Sequence, residues 1–320
     1  MLVPLASCTT EVETLWSDSN AAMLVLNAQI RQDEAIHTLS VYCSEGSHCN
    51  PVEDALVACT VNSKPVDVET REGGKYCFEA NLTAGDEVAF QVSWKGKNAS
   101  ASAEVPVSAG EITGVTTTEV ILEDGDYSWT KIQEAITFKD RAGEKDFYML
   151  SIEDVYNRLD DNGNIVESVP VRVSIDAGND KVLNPMGAEV TELFGYDNDY
   201  NVFTDEMFSD ASYTFKVYAN DWAVYSPEWV DFMNRYSEGE KYSVSRDYKI
   251  YSITFEEYMY LNAISARGND LGMMTEPVVF PENVTGGLGF VTVTSPVVWR
   301  RTTGPYKFGS LGGENDEQEY

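Results

Sequence analysis

Between residues 21 and 105 the chain is a succession of short runs in which apolar and polar residues alternate. A period of two places every second side chain on one face, which suits a half-buried strand and not a helix. Residues 23–30 form the most apolar run, and 37–42, 55–61, 75–80, 87–94 and 99–105 follow it. Turn formers separate them, among them Asn62-Ser63-Lys64-Pro65 and Gly73-Gly74. Short strands at this spacing predict an immunoglobulin-like β-sandwich over residues 21–108.

Residues 106–114 break the pattern and mark a boundary between two abutting domains. Strand patterns resume around Val120 and over 146–152, 169–175, 213–218, 249–253 and 290–298. Residues 115–303 therefore read as a larger β-rich domain, sandwich or barrel-like, and the fold class as all-β with one or two short helices. Asp160-Asp161-Asn162-Gly163-Asn164 reads as a hairpin turn. The clearest helix starts at Thr254, where Thr254 and Glu257 have the spacing of a capping box. Phe255, Tyr258, Met259, Leu261 and Ile264 then give an apolar stripe, and Gly268 a C-cap. This helix should cross a sheet and close the core. Residues 276–281, bracketed by prolines, read as an edge strand. Gly286, Gly287 and Gly289 mark close approach or unusual dihedrals. Within the leading segment 1–20, residues 9–20 read as a polar tether, and 304–320 read as a disordered acidic tail.

Asp and Glu total 53 against 22 Lys and Arg, a net charge of −31. That argues against nucleic acid and anionic lipid as partners, and suits a solvated surface or a cationic ligand. Histidine occurs only at His37 and His48, both in the first domain, so a Ser-His-Asp triad is hard to build in the larger domain. Asp197, Asp199, Asn201 and Asp205 put several oxygens on one stretch and are the candidate ligands for a structural calcium ion; no other cofactor is expected. The aromatic stretch containing Trp222, Tyr225, Trp229 and Tyr236 is the candidate contact surface for a glycan, peptide or protein. Its spacing, with Pro227 in a first turn, fits a short amphipathic helix on the core equally well.

The stretch from Ser252 to Gly289 resembles the C-terminal signature of a Bacteroidetes outer-membrane lipoprotein family catalogued as a domain of unknown function. The matching residues are Ser252-Ile253, Glu257-Tyr258, Tyr260-Leu261, Glu276-Pro277-Val278, Asn283 and Gly286-Gly287-Leu288-Gly289. Earlier matches are Leu24 through Ile30, His37-Thr38, Gly74-Lys75-Tyr76, Ala103-Glu104-Val105-Pro106 and Phe203 through Phe208. Leu5-Ala6-Ser7-Cys8 resembles a lipobox, with Cys8 as the lipidated residue, and the acidic run after it resembles a surface-export signal. Setting Cys8 aside leaves Cys43, Cys49, Cys59 and Cys77. Cys43–Cys49 and Cys59–Cys77 bridges are one expectation, four reduced thiols the other. The resemblance implies a lipid-anchored outer-membrane protein facing the exterior, beside a TonB-dependent transporter. The expected role is a non-enzymatic accessory or ligand-binding component of nutrient uptake. The alternative is a structural or adhesive surface module.

Overall fold

The computed structural model describes residues 22–307 apart from 46–47, 109, 125–126, 142, 144, 186, 188–197, 209–210, 220–226, 236–238 and 268–279. It is mainly β, with several sheets. The first half follows the alternation of its sequence. β1 (Met23–Arg31) and β2 (Ile36–Glu45) form a hairpin, and β3 (His48–Pro51) returns along β2. β4 (Leu56–Val61), β5 (Lys64–Val66), β6 (Val68–Arg71), β7 (Lys75–Glu79), β8 (Glu87–Trp94) and β9 (Lys97–Glu104) follow. One sheet orders β1-β2-β7-β6, and the second orders β5-β4-β8-β9. Leu24, Leu26, Ile30, Leu39, Val41, Val88, Phe90 and Val92 meet between them. In β1 the other face carries Asn27, Gln29 and Arg31.

The second half contains β10 (Gly110–Asp124), β11 (Tyr127–Asp140), β12 (Phe147–Leu159), β13 (Ile165–Val173), β14 (Ile175–Asp176), β15 (Val202–Thr204) and β16 (Ser212–Ala219). Helix α1 (Pro227–Asn234), β17 (Lys241–Ile253), helix α2 (Phe255–Arg267) and β18 (Leu288–Lys307) complete it. Sheet β10-β11-β16-β14 packs on β13-β12-β17-β18 through Phe138, Phe215, Tyr148, Leu150, Ile152 and Ile250. The Asp160 turn forms between β12 and β13, where the Asp160 carboxylate accepts the Asn162 and Asn164 amides. Arg246 forks onto Asp154 at 2.7 and 2.8 Å and reaches Glu134, which is wholly buried, at 3.1 Å.

β18 belongs to both halves. Residues 288–294 run parallel to β1, and residues 295–307 run antiparallel to β17. One ten-stranded sheet therefore crosses the boundary expected at 106–114. The two cores stay separate, and Val284, Val291 and Val293 complete the first one from beyond that boundary. Gly286 and Gly287 press against the backbone oxygens of Asn98 and Leu24; a Cβ there would sit 2.5 and 2.6 Å from them. Thr285 also bridges Ser100 of β9, so this segment touches both sheets of the first sandwich. Asn283 holds both backbone groups of Val291, and Asn27 accepts the Phe290 amide. The motifs at the two ends of the chain are thus one joint.

Three expectations are corrected. The four cysteines are free. Cys43 faces the first core, whereas Cys49 pairs with Ser44, the next residue, and so stands on the opposite face. Cys59 lies in that core on one sheet; Cys77, on the other sheet, turns outward to Thr38. Residues 304–307 are strand and not tail, paired to Tyr242 and Lys241. The apolar stripe of α2 is also redistributed, since Phe255 and Met259 are exposed while Glu257 and Leu261 are buried. The expected edge strand and the Gly268 cap lie at 268–279 and so largely or wholly outside the described residues. Among the described residues no helix is long and apolar enough to cross a membrane.

Candidate functional site

α2 is positioned by its own start. The Glu257 amide donates to Thr254 Oγ1 at 3.1 Å, so half of the capping box forms. The Glu257 side chain does not return to complete it. It points down onto the outer face of β1 and β18, where it accepts from Thr292 Oγ1 at 2.6 Å. Leu261, one turn on, packs with Met149, Val202, Tyr251 and Ile253.

A cavity of about 310 Å³ remains under this helix. Its floor is the outer face of the first sandwich: Asn27 and Gln29 of β1, Thr38 and Ser40 of β2, Phe290 and Thr292 of β18. Its roof is Glu257, Tyr260, Leu261 and Ile264, and Tyr200 closes one side. The alternation of β1, β2 and β18 decides this floor, because Leu24, Leu26, Ile30, Leu39, Val41, Val291 and Val293 turn into the sandwich core and leave small polar residues and Phe290 on the outer face. Tyr260 stacks on Phe290 with ring centroids 4.6 Å apart at 15°, and Phe280 meets Tyr260 edge-on.

Glu257 has no exposed surface, and its Oε1 has no hydrogen-bond partner among the described residues. Burial pushes its carboxyl up to about 7, opposed by Thr292, by the Gln29 amide alongside and by the charge of Arg31. Gln29 lies near the carboxyl without reaching hydrogen-bond geometry at Oε1. Arg31 is itself tied to Glu153 at 2.9 Å and to Glu34 at 3.6 Å. The site can therefore hold or release a proton near neutrality, beside aromatic rings and small hydroxyls.

The residues singled out in the sequence are distributed elsewhere. Asp199 and Asn201 line a larger, more polar cavity of about 490 Å³, with Asp176, Asn184 and Asn198. There Asn198 holds the oxygens of Leu183 and Val202, and Asp176 pairs with Lys131. Asn201 adopts a positive φ of 52°, which explains this asparagine by turn geometry. Asp205 is buried apart from that cavity, beside Asp140 and Lys145. Among the described residues no three His, Cys, Asp or Glu side chains gather to hold a metal ion. Asp197, Trp222, Tyr225, Tyr236 and Cys8 lie outside the described residues, as does the side chain of Trp229. α1 forms, and its Phe232 is buried against Tyr156 and Val171. His37 is a core residue whose Nε2 bonds Ala80 O at 3.0 Å. Glu257 was legible only as a cap; its burial has no local signal.

A family described as Domain of unknown function (DUF4249) matches residues 9–298. No curated protein matches the chain. Among solved structures, a DUF4785 family protein from Legionella pneumophila aligns over 72% of this chain at 6% identity and a TM-score of 0.21. This chain spans about half, 52%, of that protein's length.

Proposed function

The chain belongs to the DUF4249 family, and we propose that it is a non-enzymatic, ligand-binding component of an outer-membrane nutrient-uptake system. In this reading it is a lipoprotein anchored through Cys8, faces the cell exterior and docks on a TonB-dependent transporter. The observation that carries the binding role is the cavity under α2. It is concave, and Tyr200, Tyr260 and Phe290 stand in its lining beside the small polar side chains of β1, β2 and β18. The lipobox-like Leu5-Ala6-Ser7-Cys8 and the net charge of −31 support a solvated, exported setting. No cofactor enters this reading.

A second reading, a structural or adhesive module, draws on α2's outer face. Phe255 and Met259, one turn apart, are 52% and 42% exposed beside Phe147. Such a patch suits contact with another protein.

The test is affinity isolation of the native protein from detergent-solubilised outer membrane, with mass spectrometry of the co-purifying chains. A stoichiometric TonB-dependent transporter is the expected result. Recovery of the protein alone, with surface labelling intact, overturns the docked role and favours the adhesive module.

A further inference from the structure

No described residue of α2 enters either sandwich core. Leu261 is its buried member of a smaller cluster, with Met149, Val202, Tyr251 and Ile253. The cavity of about 310 Å³ holds much of the inner face of α2 off β1 and β2. The Tyr260–Phe290 stack and the Glu257–Thr292 hydrogen bond tie it to β18. The second of these ties involves an ionisable group sealed from water. Glu257 is wholly buried, and its Oε1 has no hydrogen-bond partner among the described residues. Ionised there, that oxygen would carry charge with neither water nor a donor beside it, which costs far more than a neutral polar atom left unpaired. An anion is ordinarily favoured at a helix start, but this side chain turns from the helix amides to Thr292. From β1, Arg31 acts on the carboxyl, and its charge is already matched by Glu153 and Glu34. β2 lines the space under α2 with Thr38 and Ser40, and β18 with Phe290 and Thr292, none of them charged. Tyr200 and Tyr260 add phenols, and burial raises that of Tyr260.

We propose that Glu257 is a proton-sensitive latch: protonated, it holds α2 down on the strand shared by both halves, and ionised, it lifts the helix off Asn27, Gln29, Thr38 and Ser40. Lifting hydrates the carboxylate and leaves both sandwich cores whole. The helix stays joined to β17, which it follows after the single residue Thr254. The latch stands apart from the proposed ligand role, so a cavity that binds nothing leaves it intact.

Native-state hydrogen exchange of the full chain reads the lifting, with each amide rate divided by its intrinsic rate at the same pH. Burial pushes the docked carboxyl up to about 7, and a hydrated one returns to the ordinary 4.5. Opening of α2 should therefore rise about thirtyfold between pH 5.5 and 8.5, levelling off above about pH 7. Low urea should leave the α2 rates unchanged, because lifting one helix exposes little surface, while it speeds exchange in β8 and β12. Glu257→Gln should hold α2 protection constant across the pH range. Should that variant fail to fold, Thr292→Val removes the donor to Oε2 and should move the levelling-off to higher pH. Protection of α2 that does not change with pH in the wild type overturns the latch, as does a levelling-off that stays in place in Thr292→Val. Exchange in α2 that rises with urea as steeply as in β8 and β12 shows the whole fold opening and overturns a local latch.

Discussion

The Thr292 hydroxyl donates to Oε2 of Glu257 across 2.6 Å, joining the crossing helix to the strand shared by both halves of the molecule. Both side chains are buried, so the carboxyl is held where ionisation is disfavoured. Its folded value of about 7 lies above the ordinary 4.5. The folded protein therefore keeps a proton that the unfolded chain releases. The resulting stability is present below about pH 4.5 and is lost as pH rises through about 7. The loss is on the order of 3 kcal/mol. Urea denaturation across this window should show that slope in the wild type and lose it in Glu257→Gln. Identical slopes in the two proteins contradict the assignment.

Gly289 sits where β18 enters beside β1. Its φ is +110°, and a Cβ would lie 2.1 Å from Leu26 O. Backbone cannot yield there as a flexible side chain would. Gly289→Ala should destabilise by about 3 kcal/mol or more, read from the denaturation midpoint. Gly163→Ala is the control, with a positive φ but open space around it, and should cost about 1 kcal/mol. Equal effects of the two substitutions would show that the joint is loose.

Arg246 holds Asp154 and Glu134 in the second sandwich. Removing the guanidinium leaves two buried carboxylates with less compensation, although Thr117 and Arg301 still reach Glu134. Arg246→Ala should cost about 3–5 kcal/mol. Arg246→Met combined with Asp154→Leu should recover part of that loss, because Asp154 is then gone and only Glu134, still reached by Thr117 and Arg301, keeps a buried charge. A loss from Arg246→Ala below about 1 kcal/mol would mean that water reaches the site.

The thiols give a direct chemical check. Cys49 is exposed, whereas Cys43, Cys59 and Cys77 are buried. Burial pushes the Cys59 thiol up to about 12 and raises that of Cys49 as well, so neither is strongly nucleophilic at neutral pH. Maleimide should modify Cys49 slowly in the folded protein and the other three only after unfolding. Mass spectrometry of unreduced protein in which two of these four cysteines stay unmodified after denaturation would restore a disulfide.

Local rules made much of the fold legible. Alternation located β1, β2, β4, β7, β8 and β9 to within a few residues, because a period of two depends only on near neighbours. Thr254 located the start of α2, and Asp160 with Gly163 located a hairpin turn, since capping and turn geometry are also local. The candidate site was not legible in this way. Glu257 carries the signature of a surface cap, and its burial depends on the polar outer face of strands far away in the chain.

Local pattern therefore placed the strands of the first sandwich and their two faces, missed β11 and much of β10, β12, β17 and β18, and marked Gly286, Gly287 and Gly289 for close approach or unusual dihedrals. What those glycines meet is a matter of long-range packing. Val25 lies opposite Leu288 in a parallel pairing that no periodicity encodes. That pairing runs one continuous sheet through both halves of the chain and lays α2 over the first sandwich. Side-chain period fixes faces over a few residues, whereas the choice of which faces join is made by burial summed over the whole chain.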